Sequence, residues 1–316
     1  MKLRSVALCS AVVIALTGLS ACKQTSPAGA AGQTPAAPAA STPAAEPTKT
    51  TAAVPATDGP HDNLNAVVWM QRSAEYRQVT RTVFRAATQQ LDAALKATDR
   101  DALAKDERKN SPKGLPPAVV LDVDETVLDN SPYQARLIRS GKDFNDVTWD
   151  QWVAEKKAKA VPGAVEFTQA AAKKGITVLY ISNRATHLKD ATIANLKALG
   201  FPVKDDSAFL GLGTFVKDCE QNGSEKLCRR MHAGQNYRVL MQFGDQLGDF
   251  VQVISNTPDA RDALSTQYDS WFGERWFMLP NPSYGAWEPA QFDNAWSLPR
   301  PERRARKRDA LRTDMQ

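Results

Sequence analysis

Four apolar residues, Ala118-Val119-Val120-Leu121, run without polar alternation and end at Asp122-Val123-Asp124-Glu125-Thr126. A short run of small and branched apolar side chains that does not alternate is the pattern of a strand covered on both faces, and Pro116-Pro117 marks where it begins. The acids therefore sit at its C-terminal end. Strands covered on both faces belong to parallel sheets wrapped by helices, and such sheets bind ligands beyond their C-terminal strand ends. Two carboxylates separated by one residue at that point predict chemistry rather than solubility.

The same pattern recurs downstream. A second buried strand is predicted over 176–181, ending in Ser182-Asn183-Arg184, and a weaker one over 208–211. A third clear strand, 237–243, runs into Gly244-Asp245-Gln246-Leu247-Gly248-Asp249, and a fourth covers 276–279 before Pro280. Helical stretches at 165–174 and 191–199 fall between them, stopped by Gly175 and by Gly200 with Pro202. Strands alternating with helices specify an α/β fold with a parallel sheet and right-handed crossovers. Apolar residues at three- and four-residue steps over 62–104 predict an N-terminal extension of two helices or one bent helix packed on the sheet. Residues 133–159 hold Tyr133, Phe144, Trp149 and Trp152 with a turn at Ser140-Gly141-Lys142-Asp143, the material for a small helical cap.

The flanks read differently. Residues 1–22 begin with Lys2 and Arg4, continue through an apolar stretch too short to span a bilayer, and end in Leu19-Ser20-Ala21-Cys22, which resembles a bacterial lipobox with Cys22 as the lipidated residue. Several acyl chains on one cysteine would anchor the protein to a membrane, and Lys23 after it favours the outer one. Residues 23–60, rich in Ala, Pro and Thr, cannot bury enough apolar surface to offset chain entropy and read as a disordered tether. The globular domain is expected over 61–298. The last segment, 299–316, holds seven arginines and lysines against three acids, so it accounts for most of the net charge of +5. It reads most simply as a solvated basic tail and alternatively as a patch drawn to anionic lipid headgroups or acidic polymers. With the charge confined there the case for a nucleic-acid-binding fold falls away, and no nucleic-acid polymer is expected as a partner. His61, His187 and His232 lack ligand spacing and no Cys-x-x-Cys occurs, which argues against zinc.

Asp-x-Asp-x-Thr directly after a buried strand resembles the first motif of the haloacid dehalogenase (HAD) superfamily. The longer run from Asp122 through Asn130-Ser131-Pro132-Tyr133 is similar to that of the class C acid phosphatases, the bacterial lipoprotein 5′-nucleotidase group. The resemblance implies a HAD-like Rossmannoid sheet flanked by helices, with Mg²⁺ as cofactor and a small phosphorylated molecule as substrate. It implies Asp122 as nucleophile, Asp124 as general acid and base, and Asp122, the Asp124 backbone carbonyl and Asp245 as metal ligands. Ser182 and Lys226 would bind the phosphate, Asn183 would contact the substrate, and Asp249 would orient Lys226 or a metal-bound water. Elementary electrostatics supports such a set, because a phosphate dianion among bare carboxylates needs a cation and a lysine to neutralise the site.

Phe144, Trp149 and Tyr284 stand where the resembled family places rings around the leaving group, and they serve equally well as cap packing. Cys219 and Cys228 enclose a short loop that a disulfide would close in an exported protein. The expected activity is hydrolysis of small phosphomonoesters, nucleoside 5′-monophosphates among them, through an aspartyl-phosphate. The rivals are a phosphotransferase of the same fold and a non-catalytic ligand-binding lipoprotein.

Overall fold

The structure, a computed structural model, describes residues 61–314, so the expected signal, Cys22 and the tether lie outside the described residues. Two helices open the domain, α1 (Leu64–Arg72) and α2 (Ala74–Lys96). They part at Ser73, whose extended backbone breaks the helix and whose hydroxyl accepts from the Tyr76 amide at 3.0 Å, a side-chain N-cap.

Strand β1 (Pro117–Leu121) is the central strand of a five-stranded parallel sheet. On one side of it lie β4 (Thr177–Ala185) and then β5 (Phe209–Leu212); on the other lie β6 (Arg238–Gly244) and β7 (Trp276–Met278). A two-stranded antiparallel pair, β2 (Leu128–Asp129) with β3 (Lys159–Ala160), brackets the insertion that follows the first acids. That insertion contains α3 (Ser131–Ser140) and α4 (Asp146–Glu155) and is the expected small cap. Helices α5 (Ala164–Lys173), α6 (Lys189–Ala198), α7 (Leu227–Asn236), α8 (Pro258–Gln267) and α9 (Arg300–Asp309) complete the described chain.

The two faces of β1 explain its unbroken apolar run. Val119 and Leu121 enter a core with Phe84 and Leu91 of α2 and Phe167 of α5, while Ala118 and Val120 enter a second core with Leu103, Ala233 and Trp276. Aromatic stacking reinforces the first, where Phe243 lies 5.5 Å from Phe84 and 5.0 Å from Phe277 between ring centroids. The order in which strands are added reverses at β1, since β4 and β5 lie to one side and the later β6 and β7 to the other. That switch point is where an open α/β sheet leaves a crevice at its C-terminal edge.

Two expectations change. The strand predicted over 176–181 continues through Ser182, Asn183 and Arg184 to Ala185, because pairing with β5 resumes at Ala185 and Leu212 after a register irregularity. The C-terminal segment is not a solvated tail: residues 300–309 form α9, and its Arg300, Arg303, Arg304 and Lys307 line a cavity described below. Sequence reasoning placed these residues in water because charge alone does not show what an element lies against.

Candidate active site

Parallel register brings the three polar strand ends together. Leu121 lies opposite Tyr180 on β4 and Phe243 on β6, so Asp122 emerges between Ser182 and Asp245, and its amide donates to the Phe243 carbonyl at 2.9 Å. One oxygen from each of Asp122, Asp245 and Asp249 lies within 4.8 Å of the others, a set that could hold a metal ion. Lys226, immediately before α7, reaches into this group. Its Nζ donates to Asp122 Oδ1 and, at 2.6 Å, to Asp249 Oδ1. All three side chains are at least nine-tenths buried.

Asp249 is placed by the turn after β6. Its second oxygen accepts from the Gln246 amide at 2.8 Å, and Gln246 reciprocates as the other half of a capping box. Gly244 is required there, since a Cβ at that position would run into the Asp249 carboxyl. Asp245 accepts from Gln246 Nε2 and Asn281 Nδ2, both at 2.8 Å.

Three carboxylates share one ammonium, and the imbalance shows in the titration of Asp122 and Asp245. Burial pushes the Asp122 carboxyl up to about 7; Lys226 pulls against that rise, and Asp249 and Asp124 add to it. Burial also holds Asp245 well above the usual range, with Asp249 and Asp122 acting in the same direction. The Lys226 ammonium is disfavoured by burial, but its two carboxylate partners outweigh that and raise it. The site therefore lacks positive charge. Hard oxygen donors in this number and spacing fit a divalent cation that keeps part of its water shell.

Asp124 points elsewhere. Its Oδ1 accepts from Asn130 Nδ2 and Arg184 Nε, each at 2.9 Å, and its Oδ2 from Ser182 Oγ at 3.3 Å. Its side chain thus stands beside the acidic cluster, oriented by an arginine that is itself buried between Asp124, Asn130 and Thr192. Ser182 also accepts from the Arg184 amide at 3.0 Å, and exposed Asn183 accepts from Arg229 at 2.8 Å.

Several functional neighbours escaped the sequence reading. Glu125 has a left-handed backbone, φ 58°, which turns its side chain into the protein, where it accepts from the Asn130 amide at 2.7 Å and from the Tyr284 hydroxyl. Thr126 donates to Asp122 at 3.1 Å. Arg229, fully buried, binds the Ser182 carbonyl and, at 2.8 Å, the Glu225 carbonyl. Arg230 forms a two-pronged pair with Glu107 at 2.7 and 2.6 Å and donates to the Gly248 carbonyl at 2.6 Å. These arginines tie the Lys226 segment to the ends of β4 and β6. The available signal was helical spacing, since Lys226, Arg229 and Arg230 stand three and four residues apart and so share a face. A Cys219–Cys228 disulfide, Cα to Cα 5.6 Å, closes the loop around Lys226.

The cluster forms the floor of a cavity of about 1050 Å³. Phe144, Trp149, Asn183 and Tyr284 line its walls. Trp149 packs edge-on against Tyr133, 5.2 Å between centroids, and its ring lies 5.4 Å from the Arg184 guanidinium, so it serves the cap and the site together. Phe144 is 56% exposed.

Carboxylates and a lysine gathered at the adjoining ends of central parallel strands, beneath a small cap, define an α/β phosphohydrolase. The family model described as HAD superfamily, subfamily IIIB (Acid phosphatase), matches residues 35–287, and the chain belongs to that family. Two structures of the class C acid phosphatase from Bacillus anthracis, one with tungstate bound, are similar to this chain. They share 32% and 33% sequence identity with this chain at TM-scores of 0.68 and 0.69, each covering 80% of this chain and 98% of the other. Acid phosphatase 1 of Solanum lycopersicum is 28% identical over 165 residues, 52% of this chain and 57% of that protein. The chain thus spans little more than half the length of the curated relatives it matches.

Proposed function

We propose that this protein is a Mg²⁺-dependent acid phosphatase that hydrolyses small phosphomonoesters, nucleoside 5′-monophosphates among them, through a phosphoryl group carried on Asp122. The observation that carries this reading is Lys226 held between Asp122 and Asp249 at the floor of the cavity, because a nucleophile, a cation and spare carboxylates meet there at the end of the central strand.

In the first step a carboxylate oxygen of Asp122 attacks phosphorus, the bond from phosphorus to the ester oxygen breaks, and Asp124 gives that oxygen a proton. In the second step Asp124 takes a proton from water as the water oxygen attacks the aspartyl-phosphate, which frees inorganic phosphate and restores Asp122. Arg184 and Asn130 hold Asp124 in the orientation both transfers require. Lys226 stabilises charge on the phosphate oxygens, and Ser182 turns its hydroxyl from Asp124 to the same group. Mg²⁺ held by Asp122, Asp245 and the Asp124 carbonyl, with Asp249 beside it, would supply further neutralisation of the transferring phosphate.

Phe144 supports a nucleotide preference best, since much of its ring is open to the cavity, whereas the Tyr284 hydroxyl is committed to Glu125. The tungstate on the Bacillus anthracis relative, a tetrahedral oxyanion, is consistent with a phosphate subsite. Export and lipid anchoring through Cys22, with residues 23–60 as tether, belong to the same proposal; among the described residues no helix is long and apolar enough to cross a membrane.

Phosphate release across nucleoside monophosphates and sugar phosphates, with and without Mg²⁺, tests the activity, and acid-stable labelling of wild-type protein but not Asp122→Asn tests the covalent step. Turnover by Asp122→Asn would sink the mechanism.

A further inference from the structure

The phosphate site accounts for the floor of the cavity but not for its outer wall. That wall is built by the C-terminal helix α9, the turn between the cap helices and the residues just before α1. Arg300, Arg303, Arg304 and Lys307 fall on one helical face, at steps of three and four, and all line the cavity. Lys142 from the cap turn lines it as well.

Three carboxylates answer these five cations. Asp143 pairs with Arg300; Asp62 pairs with Arg304 and Lys307 at 2.8 and 2.9 Å; Glu288 pairs with Lys307 at 2.9 Å. Arg303 and Lys142 have no carboxylate partner among the described residues. Arg303 rests its guanidinium 5.1 Å from the centre of the Trp296 ring, and its Nε is buried without a hydrogen-bond partner. A solvated tail would not hold an arginine in this way. Its planar donor set matches a phosphate group.

The geometry points to a second anion subsite on this wall, and to substrates that carry two phosphomonoester groups, one held at Lys226 for hydrolysis and the other at Arg303 and Lys142. This rests on the phosphatase reading and narrows its substrate class. The cavity reaches both sites without a break, and its volume of about 1050 Å³ leaves room for a ligand that spans them. Membrane attraction fits less well, because these side chains line the same cavity as Lys226.

The test compares adenosine 5′-monophosphate with adenosine 3′,5′-bisphosphate, and ribose 5-phosphate with ribulose 1,5-bisphosphate, in the full chain and in the variants Arg303→Gln and Lys142→Gln. The expected wild-type kcat/KM favours each bisphosphate by about tenfold or more, the worth of one charge-assisted contact pair, and each variant brings that ratio toward one. Lys142 is exposed, so its substitution keeps the comparison sound even if Arg303→Gln unsettles α9. A wild-type ratio near one, or variants that slow both substrate types equally, would overturn the subsite. So would binding to phosphatidylglycerol vesicles that the bisphosphate does not displace. If neither class releases phosphate, the phosphatase reading fails by itself, and calorimetric binding of the bisphosphate to wild type against Lys142→Gln still decides the subsite.

Discussion

Tyr284 donates its phenolic hydrogen to Glu125, joining the loop after β7 to the loop after β1 where both enter the cavity. Two segments far apart in the chain are thereby locked together beside the acidic cluster. Because Glu125 is fully buried, its oxygens depend on Tyr284 and on the Asn130 amide for partners.

Tyr284→Phe keeps the ring and removes the donor, so it separates stacking from anchoring. The expected result is a loss of about 1–3 kcal/mol in stability, the cost of leaving a buried acceptor short of a partner, with turnover falling alike for nucleotides and for sugar phosphates. Phe144→Ala should behave otherwise. It should raise KM for a nucleoside monophosphate by roughly five- to a hundredfold, from about 1–3 kcal/mol of lost stacking, with a much smaller change for a sugar phosphate. Steady-state kinetics on both substrate classes, alongside thermal melts, distinguishes the two variants. Equal losses in Phe144→Ala would assign that ring to cap packing.

Gly244→Ala places a methyl group against the Asp249 carboxyl and must displace it, and with it the Lys226 ammonium. Misplacement by about 1 Å can cost on the order of a hundredfold in rate, so kcat should fall by about that factor while the fold survives. A kcat within a few-fold of wild type would show that Asp249 does not need its present position.

Lys226→Ala leaves Asp122 and Asp249 facing each other without the ammonium. Removing one partner of a buried ion pair typically costs about 3–5 kcal/mol, a shift readable in urea denaturation of metal-free protein. Lys226→Ala Asp249→Ala, which removes both charges, should recover part of that stability and none of the activity. If the double variant is as unstable as the single one, charge is not the cause.

The pH dependence of the metal-free protein follows from the raised carboxyls. Asp122 titrates near 7 when folded against an ordinary value of 3.8, and Asp245 and Glu125 shift in the same direction. Between those values the folded protein holds more protons than the unfolded chain. Stability from this source is therefore full below about pH 4 and declines as pH rises toward 7, at about 1.4 kcal/mol per pH unit for each extra proton held. In chelator, Tm should drop between pH 5 and pH 7.5, and Mg²⁺ should restore it most at the higher pH, where the carboxylates are ionised. A Tm that climbs with pH in chelator would contradict this charge balance.

Legibility of the site in the sequence followed how local each residue's role is. Asp122, Ser182 and Asp245 announce themselves because each stands where an apolar strand ends, and the central place of β1 brings those ends together. Lys226 rested on family resemblance, since a lysine in a polar stretch carries no sign that it will be buried. Arg184 was passed over as a strand terminator because the irregular pairing that extends β4 depends on β5, a weak strand in isolation. Arg229 and Arg230 are buried charges, which are rare unless paired, and beyond the nearby Ser224 and Glu225 carbonyls their partners include the Ser182 carbonyl, Glu107 and Gly248, remote in sequence. Glu125 read as one more acid in a motif; only its left-handed backbone turns it inward to Tyr284.

The position of β1 between β4 and β6 also bears on how the protein acquires its activity during folding. Asp122 and Asp245 are neighbours only across the parallel β1–β6 contact, which closes a loop of more than a hundred residues containing the cap, β4, β5 and α7. Contacts of such sequence separation form late, because loop-closure entropy must be met before pairing rewards it. A refolding chain can thus complete α2, α5 and the β1–β4 pair while it still lacks three of the four groups on the cavity floor. Recovery of phosphatase activity should lag the return of helical signal, and a ribosome-bound chain that has not yet released β6 lacks Asp245 and Asp249 from the cavity floor.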